Sequence, residues 1–166
     1  MIHHRHSLSL LALSALTLPA FAGDTAPSVF TSAQAKAGKA AYESSCGICH
    51  LNTLRGRVGD SNEPPLPAGL PKGYQETVDG NLGYVPALLG EAFMAKWSPK
   101  TAGEFAARIQ NAAGAFPPKD ADDAKVLAVA AYILQANGSL PGKQELTATS
   151  AVPVSATLTK AKRQKS

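Results

Sequence analysis

Cys46-Gly47-Ile48-Cys49-His50 is the stretch on which the reading of this 166-residue chain turns. Two thiols three positions apart on a tight helical turn can reach the two vinyl groups of one porphyrin. The imidazole that follows then lies beneath the iron as its proximal ligand, which is the C-x-x-C-H pattern of covalent haem attachment. On this reading Cys46 and Cys49 bind the cofactor, His50 binds the metal, and the cofactor is one covalent haem c. Three other uses of the same residues compete. A redox dithiol needs a βαβ setting, and no strand-like alternation is visible. A closed zinc site needs four ligands, and beyond the first 22 residues only Cys46, Cys49 and His50 supply Cys or His. A Cys46–Cys49 disulfide is allowed by the spacing, although so small a loop adds little stability.

Upstream of the motif, the first 22 residues have the zones of a secretory signal. Arg5 precedes the apolar run from Leu8 to Leu18, Pro19 breaks it, and Ala20-Phe21-Ala22 before Gly23 is a small-x-small cleavage site. The run is shorter than the roughly 20 apolar residues that span a bilayer, so the expectation is cleavage, export to the periplasm and no membrane span afterwards. Cleavage removes His3, His4 and His6 and leaves His50 as the one histidine and Met94 as the one methionine.

The formal net charge of +4 hints at nucleic acid, but its distribution excludes that class. Residues 23–142 hold ten Lys/Arg against eleven Asp/Glu, and the excess lies in Lys143, Lys160, Lys162, Arg163 and Lys165. No basic helix with interleaved aromatics occurs, and a basic tail on a near-neutral domain suits a solvated extension. The expected organisation is a signal peptide at 1–22, a polar linker at 23–30, a haem domain at 31–140 and a disordered basic tail at 141–166, where no core-forming pattern is visible.

Within the domain the periodicity is helical. Thr31 and Gln34 form a capping box for a helix from 33 to about 44, in which Gly38 signals close approach by another element. Residues 51–84, with Pro64, Pro65, Pro67 and Pro71, read as a long loop that wraps something. A short helix follows Pro86-Ala87-Leu88-Leu89-Gly90. Thr101 and Glu104 open another, with Phe105, Arg108, Ile109 and Ala112 on one face. Phe116-Pro117-Pro118 ends it. A last helix starts near Asp122, carries Val126, Val129, Ala130 and Ile133 at helical spacing, and stops at Gly138. The fold class is all-α, with three to five short helices wrapped around one covalently attached haem. Helices this short bury a thin core alone, so folding is expected to depend on the cofactor.

Over residues 33–138 the chain resembles the class I (mitochondrial-type) bacterial cytochromes c, particularly the small domains that accept electrons from quinoprotein alcohol dehydrogenases. Ala37-Gly38-Lys39-Ala40-Ala41-Tyr42, the 46–50 motif, Pro86 to Phe93, Trp97 and Ala130-Ala131-Tyr132-Ile133-Leu134 carry the resemblance. It implies that Gly38 and Tyr42 cross the last helix near Tyr132. It also implies that the Pro86 carbonyl accepts from the His50 ring N–H, and that Trp97 lies near a haem propionate. The implied function is single-electron transfer, without catalytic residues, from a dehydrogenase donor to an oxidase or other redox protein acceptor.

The chain departs from the resemblance at the sixth iron ligand. Where relatives place Met-Pro, this sequence has Phe116-Pro117, or Ala113 if aligned from the helix start. Met94 and Lys119 are the remaining donors, and an open or water-filled site is the other outcome. An open site would suit a haem protein that binds a gas or peroxide, the alternative function. Arg55 and Arg57 read as solvated surface or as partners of haem propionates.

Overall fold

In a computed structural model of the chain, residues 26–59, 62–70, 72–115 and 122–159 are described. The signal segment, Phe116 to Lys119 and residues 160–166 lie outside them. Helix α1 (Ser32–Ser44) leads to the one-turn helix α2 (Gly47–His50). A two-residue strand β1 (Arg57–Val58) precedes α3 (Lys72–Gly80), and β2 (Tyr84–Val85) pairs antiparallel with β1. Then come α4 (Glu91–Trp97), α5 (Ala102–Ala115), α6 (Asp123–Ala136) and the single turn α7 (Val154–Thr157). Helix content with almost no strand is the expected all-α cytochrome c fold. Five of the described helices run seven residues or longer, the other two being single turns.

The crossing of α1 and α6 is the central packing contact. Helix α6 is apolar on nearly every side and is buried accordingly, from Val126 to Leu134. A Cβ at Gly38 would sit 1.8 Å from the Ala128 carbonyl oxygen, so only glycine lets the two backbones approach. Four residues on, the Tyr42 ring lies 5.4 Å from that of Tyr132, as the resemblance implies.

Helix starts follow their caps. Thr101 and Glu104 make the full reciprocal box, with bonds of 3.1 and 2.7 Å, and Asp122 caps α6 through the Lys125 amide. Thr31 caps α1 through the Gln34 amide at 3.1 Å, but the Gln34 side chain does not reach back. It turns to Leu146 instead, donating to its carbonyl at 3.0 Å and accepting from its amide at 2.8 Å.

That pair belongs to a larger correction. The segment after 141, expected as a disordered tail, is packed as far as 159. Leu146, Val154, Thr157 and Leu158 are buried to 1 % exposure or less. The Val152 and Ser150 carbonyls accept from the Ala102 and Gly103 amides, both at 2.9 Å, closing the open N-terminus of α5. Leu146 is isolated in the sequence, and the helical spacing of Val154, Thr157 and Leu158 lasts a single turn, too short a signal to mark a packed element. The supposed polar linker is corrected likewise: Val29 and Phe30 are buried in the same core, and Phe30 O accepts from Gly142 N at 2.8 Å.

The 51–84 stretch contains a helix, α3, that its prolines obscure. Pro71 immediately before the helix and Tyr74 and Val78 four apart are the signals that mark it.

Candidate haem site

Helix α2 is too short to hold its own geometry, so neighbouring elements set it. The Tyr42 hydroxyl donates at 2.8 Å to the carbonyl of Leu51, the residue where the chain leaves α2 in a left-handed turn with φ of 60°. Gly56 N bonds the His50 carbonyl at 3.0 Å. Gly56 also packs so closely on Val85 and Pro86 that a Cβ would fall 2.2 Å from the Val85 oxygen. These contacts bring the segment that starts at Pro86 against the ring of His50, and the imidazole Nδ1 lies 2.8 Å from the Pro86 carbonyl oxygen. The carbonyl can only accept, so Nδ1 carries the proton and Nε2 is left with its lone pair. Such a partner orients a metal-binding imidazole and raises its basicity.

The Pro86–Gly90 stretch is itself held from the end of α6. Asn137, 4 % exposed, donates to the Leu88 and Ile133 carbonyls, both at 2.9 Å. It accepts from the Gly90 amide at 3.0 Å. Asn137 carries no motif signal in the sequence; a polar residue just after an apolar helix reads as a simple stop.

Cys46, Cys49 and His50 open together on a cavity of about 770 Å³, within the roughly 300–1,000 Å³ of small-molecule and cofactor sites. Its other walls are helical and mostly apolar. Phe93 and Trp97 come from α4, Phe105, Ile109 and Ala112 from α5, and Val126, Val129 and Ile133 from α6. Phe105 anchors the aromatic wall, with ring centroids 5.2 Å from Phe93 and 4.9 Å from Trp97. Helix α3 and β2 close a further side with Tyr74, Val78, Tyr84 and Val85, so the Pro-rich stretch does wrap the cavity.

Burial pushes both thiols above the ordinary cysteine range. At Cys46 the Ser45 hydroxyl opposes this, and at Cys49 the Arg57 charge does. Both cysteines are free. Burial pulls the His50 imidazole below its usual value, against the Pro86 bond, which keeps it neutral and ready to bind a metal. Two protonated thiols and one neutral, oriented imidazole on an apolar chamber fit a haem c. Cys46 and Cys49 would hold it by thioethers, and His50 would bind its iron.

Met94, by contrast, is 8 % exposed within the hydrophobic core and does not line the cavity, whereas its neighbours Phe93 and Trp97 do. Of the two arginines, Arg55 is exposed as expected. Arg57 is not solvated surface: it is buried to 5 % exposure and bonded to main-chain carbonyls. Arginine alone in a loop reads as surface, and only the fold shows what covers it.

A mainly helical domain of this topology, with a thiol pair and an imidazole on one apolar chamber, defines a class I-like c-type cytochrome. Residues 33–133 match the family described as cytochrome c oxidase, cbb3-type, subunit III, and the chain belongs to that family. With the family come haem c, iron binding and electron transfer. Comparison with curated proteins and with solved structures finds no match. No helix among the described residues is long and apolar enough to cross a membrane.

Proposed function

We propose that this chain is an exported electron carrier of the periplasm with a single haem c, held by Cys46 and Cys49 and ligated by His50. The observation that carries the proposal is the shared chamber of the two thiols and the imidazole, with Nδ1 locked on the Pro86 carbonyl. Haem c supplies one-electron redox chemistry when bound; the protein supplies orientation, a dry pocket and a set potential. His50 is held in one tautomer. The α4–α5 aromatic wall and the apolar face of α6 exclude water. No side chain is needed as an acid, base or nucleophile. The donor in this proposal is a dehydrogenase, in keeping with the resemblance to the alcohol-dehydrogenase-linked cytochromes, and the acceptor is an oxidase or another redox protein.

Expression with periplasmic export and haem maturation tests this reading. The mature protein should stain for haem on a denaturing gel and hold one haem per chain. It should also exchange a single electron reversibly in a potentiometric titration. A colourless mature protein, or a dithiol that closes to a disulfide instead, would defeat it.

The place of Met94 supports a second reading, in which the iron takes small external ligands. Carbon monoxide binding to the reduced protein distinguishes the two, since a strong internal sixth ligand resists displacement.

A further inference from the structure

Arg57 is 5 % exposed, rare for a guanidinium. All three of its nitrogens are used. Nε donates to the Cys49 carbonyl at 3.1 Å, Nη2 to the Ile48 carbonyl at 3.2 Å and Nη1 to the Pro64 carbonyl at 2.6 Å. The Ile48 and Cys49 carbonyls end a one-turn helix and have no partner further along it. Arg57 therefore caps the turn that carries the second thiol and the imidazole and ties it to the Pro-rich stretch. A neutral amide could have met one or two of these carbonyls; the fork of an arginine meets three and adds a charge that persists at every physiological pH. The carboxylate of Glu63 approaches to only 4.0 Å, beyond hydrogen-bond distance, and its other oxygen accepts from the Val58 amide. Carbonyl dipoles solvate the guanidinium without cancelling its charge, and little solvent screens it there.

We infer that Arg57 is a positioning residue that also sets the potential: it latches the Ile48 and Cys49 carbonyls, and its fixed positive charge, tempered by Glu63, favours the reduced state of the one-electron site. The inference rests on the haem-carrying reading above. The sign follows from electrostatics alone, because reduction adds one negative charge and a nearby cation stabilises the form that has gained it.

Potentiometric titration of the haem-loaded protein and three variants tests this. Arg57→Met removes the charge and leaves Glu63 uncompensated. It should lower the ferrous-to-ferric ratio at a given electrode potential about tenfold, which is ~59 mV for a one-electron couple. Glu63→Gln keeps an acceptor for Val58 N but loses the charge, and should raise the ratio severalfold. Arg57→Lys keeps the charge without the three-way fork; its potential should stay near wild type while its thermal midpoint falls. A purely structural Arg57 would lower the midpoint in both Arg57 variants and move no potential. If Arg57→Met fails to retain haem, the other two variants decide: a raised potential in Glu63→Gln beside an unmoved one in Arg57→Lys supports the inference, and any other pairing overturns it. Wild-type protein without covalent haem would instead defeat the electron-carrier reading. Wild-type protein that cycles normally while the variants' potentials stay flat defeats only the role given to Arg57.

Discussion

The side-chain amide of Gln34, in the first turn of α1, forms two hydrogen bonds with the main chain of Leu146, at 3.0 and 2.8 Å. A side chain thus takes the place of a backbone partner and fixes the C-terminal strap along the start of the first helix. The strap seals the core side of α1 and α5, and none of its residues lines the haem chamber.

Truncation after Gly142 should destabilise the protein. It removes Leu146, Val154 and Leu158, each 1 % exposed or less and each contributing about 1.5–3 kcal/mol by burial. It also uncovers the Ala102 and Gly103 amides. The thermal midpoint should fall by at least ~10 °C, and Gln34→Ala alone should cost about 1–3 kcal/mol by leaving Leu146 unpaired. An unchanged midpoint on truncation would show that the strap contributes nothing to stability.

Gly38→Ala should be among the most damaging conservative changes. The added methyl meets main-chain atoms of Ala128 at 1.8 Å, and a backbone cannot rotate away as a side chain can. Helices α1 and α6 must separate, costing roughly 1–3 kcal/mol or more against the slight gain in helix propensity. Urea denaturation gives the number; a variant as stable as wild type would mean that the two helices cross with more room.

Replacing both cysteines by serine should abolish haem retention and most of the cooperative melting transition. The about 770 Å³ chamber would then be left unfilled behind Phe93, Phe105 and Ile133, and apolar walls around such a space lose their contacts. Far-UV circular dichroism through a thermal ramp reads this directly. A native-like transition in the double variant would show that the helices and strap suffice.

Met94→Leu should leave the visible and near-infrared spectra of the haem protein unchanged and cost less than about 1.5 kcal/mol, since Met94 packs in the core beside the chamber wall. Loss of a sulfur-to-iron band in this variant would mean that the side chain leaves the core to reach the iron.

The Thr101–Glu104 box should give a pH signature at the start of α5. Backbone and hydroxyl bonds from Thr101 hold the exposed Glu104 carboxyl below its ordinary range. A carboxyl depressed on folding adds stability that is complete above its unfolded pKa, about 4.3, and is lost as pH falls through the lower folded value. Glu104→Gln should flatten the fall of the thermal midpoint between pH 5 and pH 3, and an unaltered slope would show that the box contributes nothing.

Chemistry written into a short contiguous run was legible without coordinates. Cys46 to His50 points to haem c, the cofactor the family implies, because thiol spacing and the adjacent imidazole are local facts, and α1, α5 and α6 follow from caps and 3.6-residue periodicity, which are local too. The Pro86–His50 contact also came from the sequence, through resemblance. What only the tertiary structure decided involves residues whose meaning lies in distant partners. Leu146 stands alone in its sequence and Val154 and Leu158 span only the single turn α7, too short a pattern to read as core without the elements they pack against. Asn137 and Gln34 look like an ordinary helix end and half of a capping box until the carbonyls of Leu88 and Leu146 come within reach. Arg57 looks like surface until the Pro-rich stretch closes over it. Local sequence sets backbone preference and covalent chemistry, whereas burial, and the use of a polar side chain's hydrogen bonds, depends on segments brought together from across the chain.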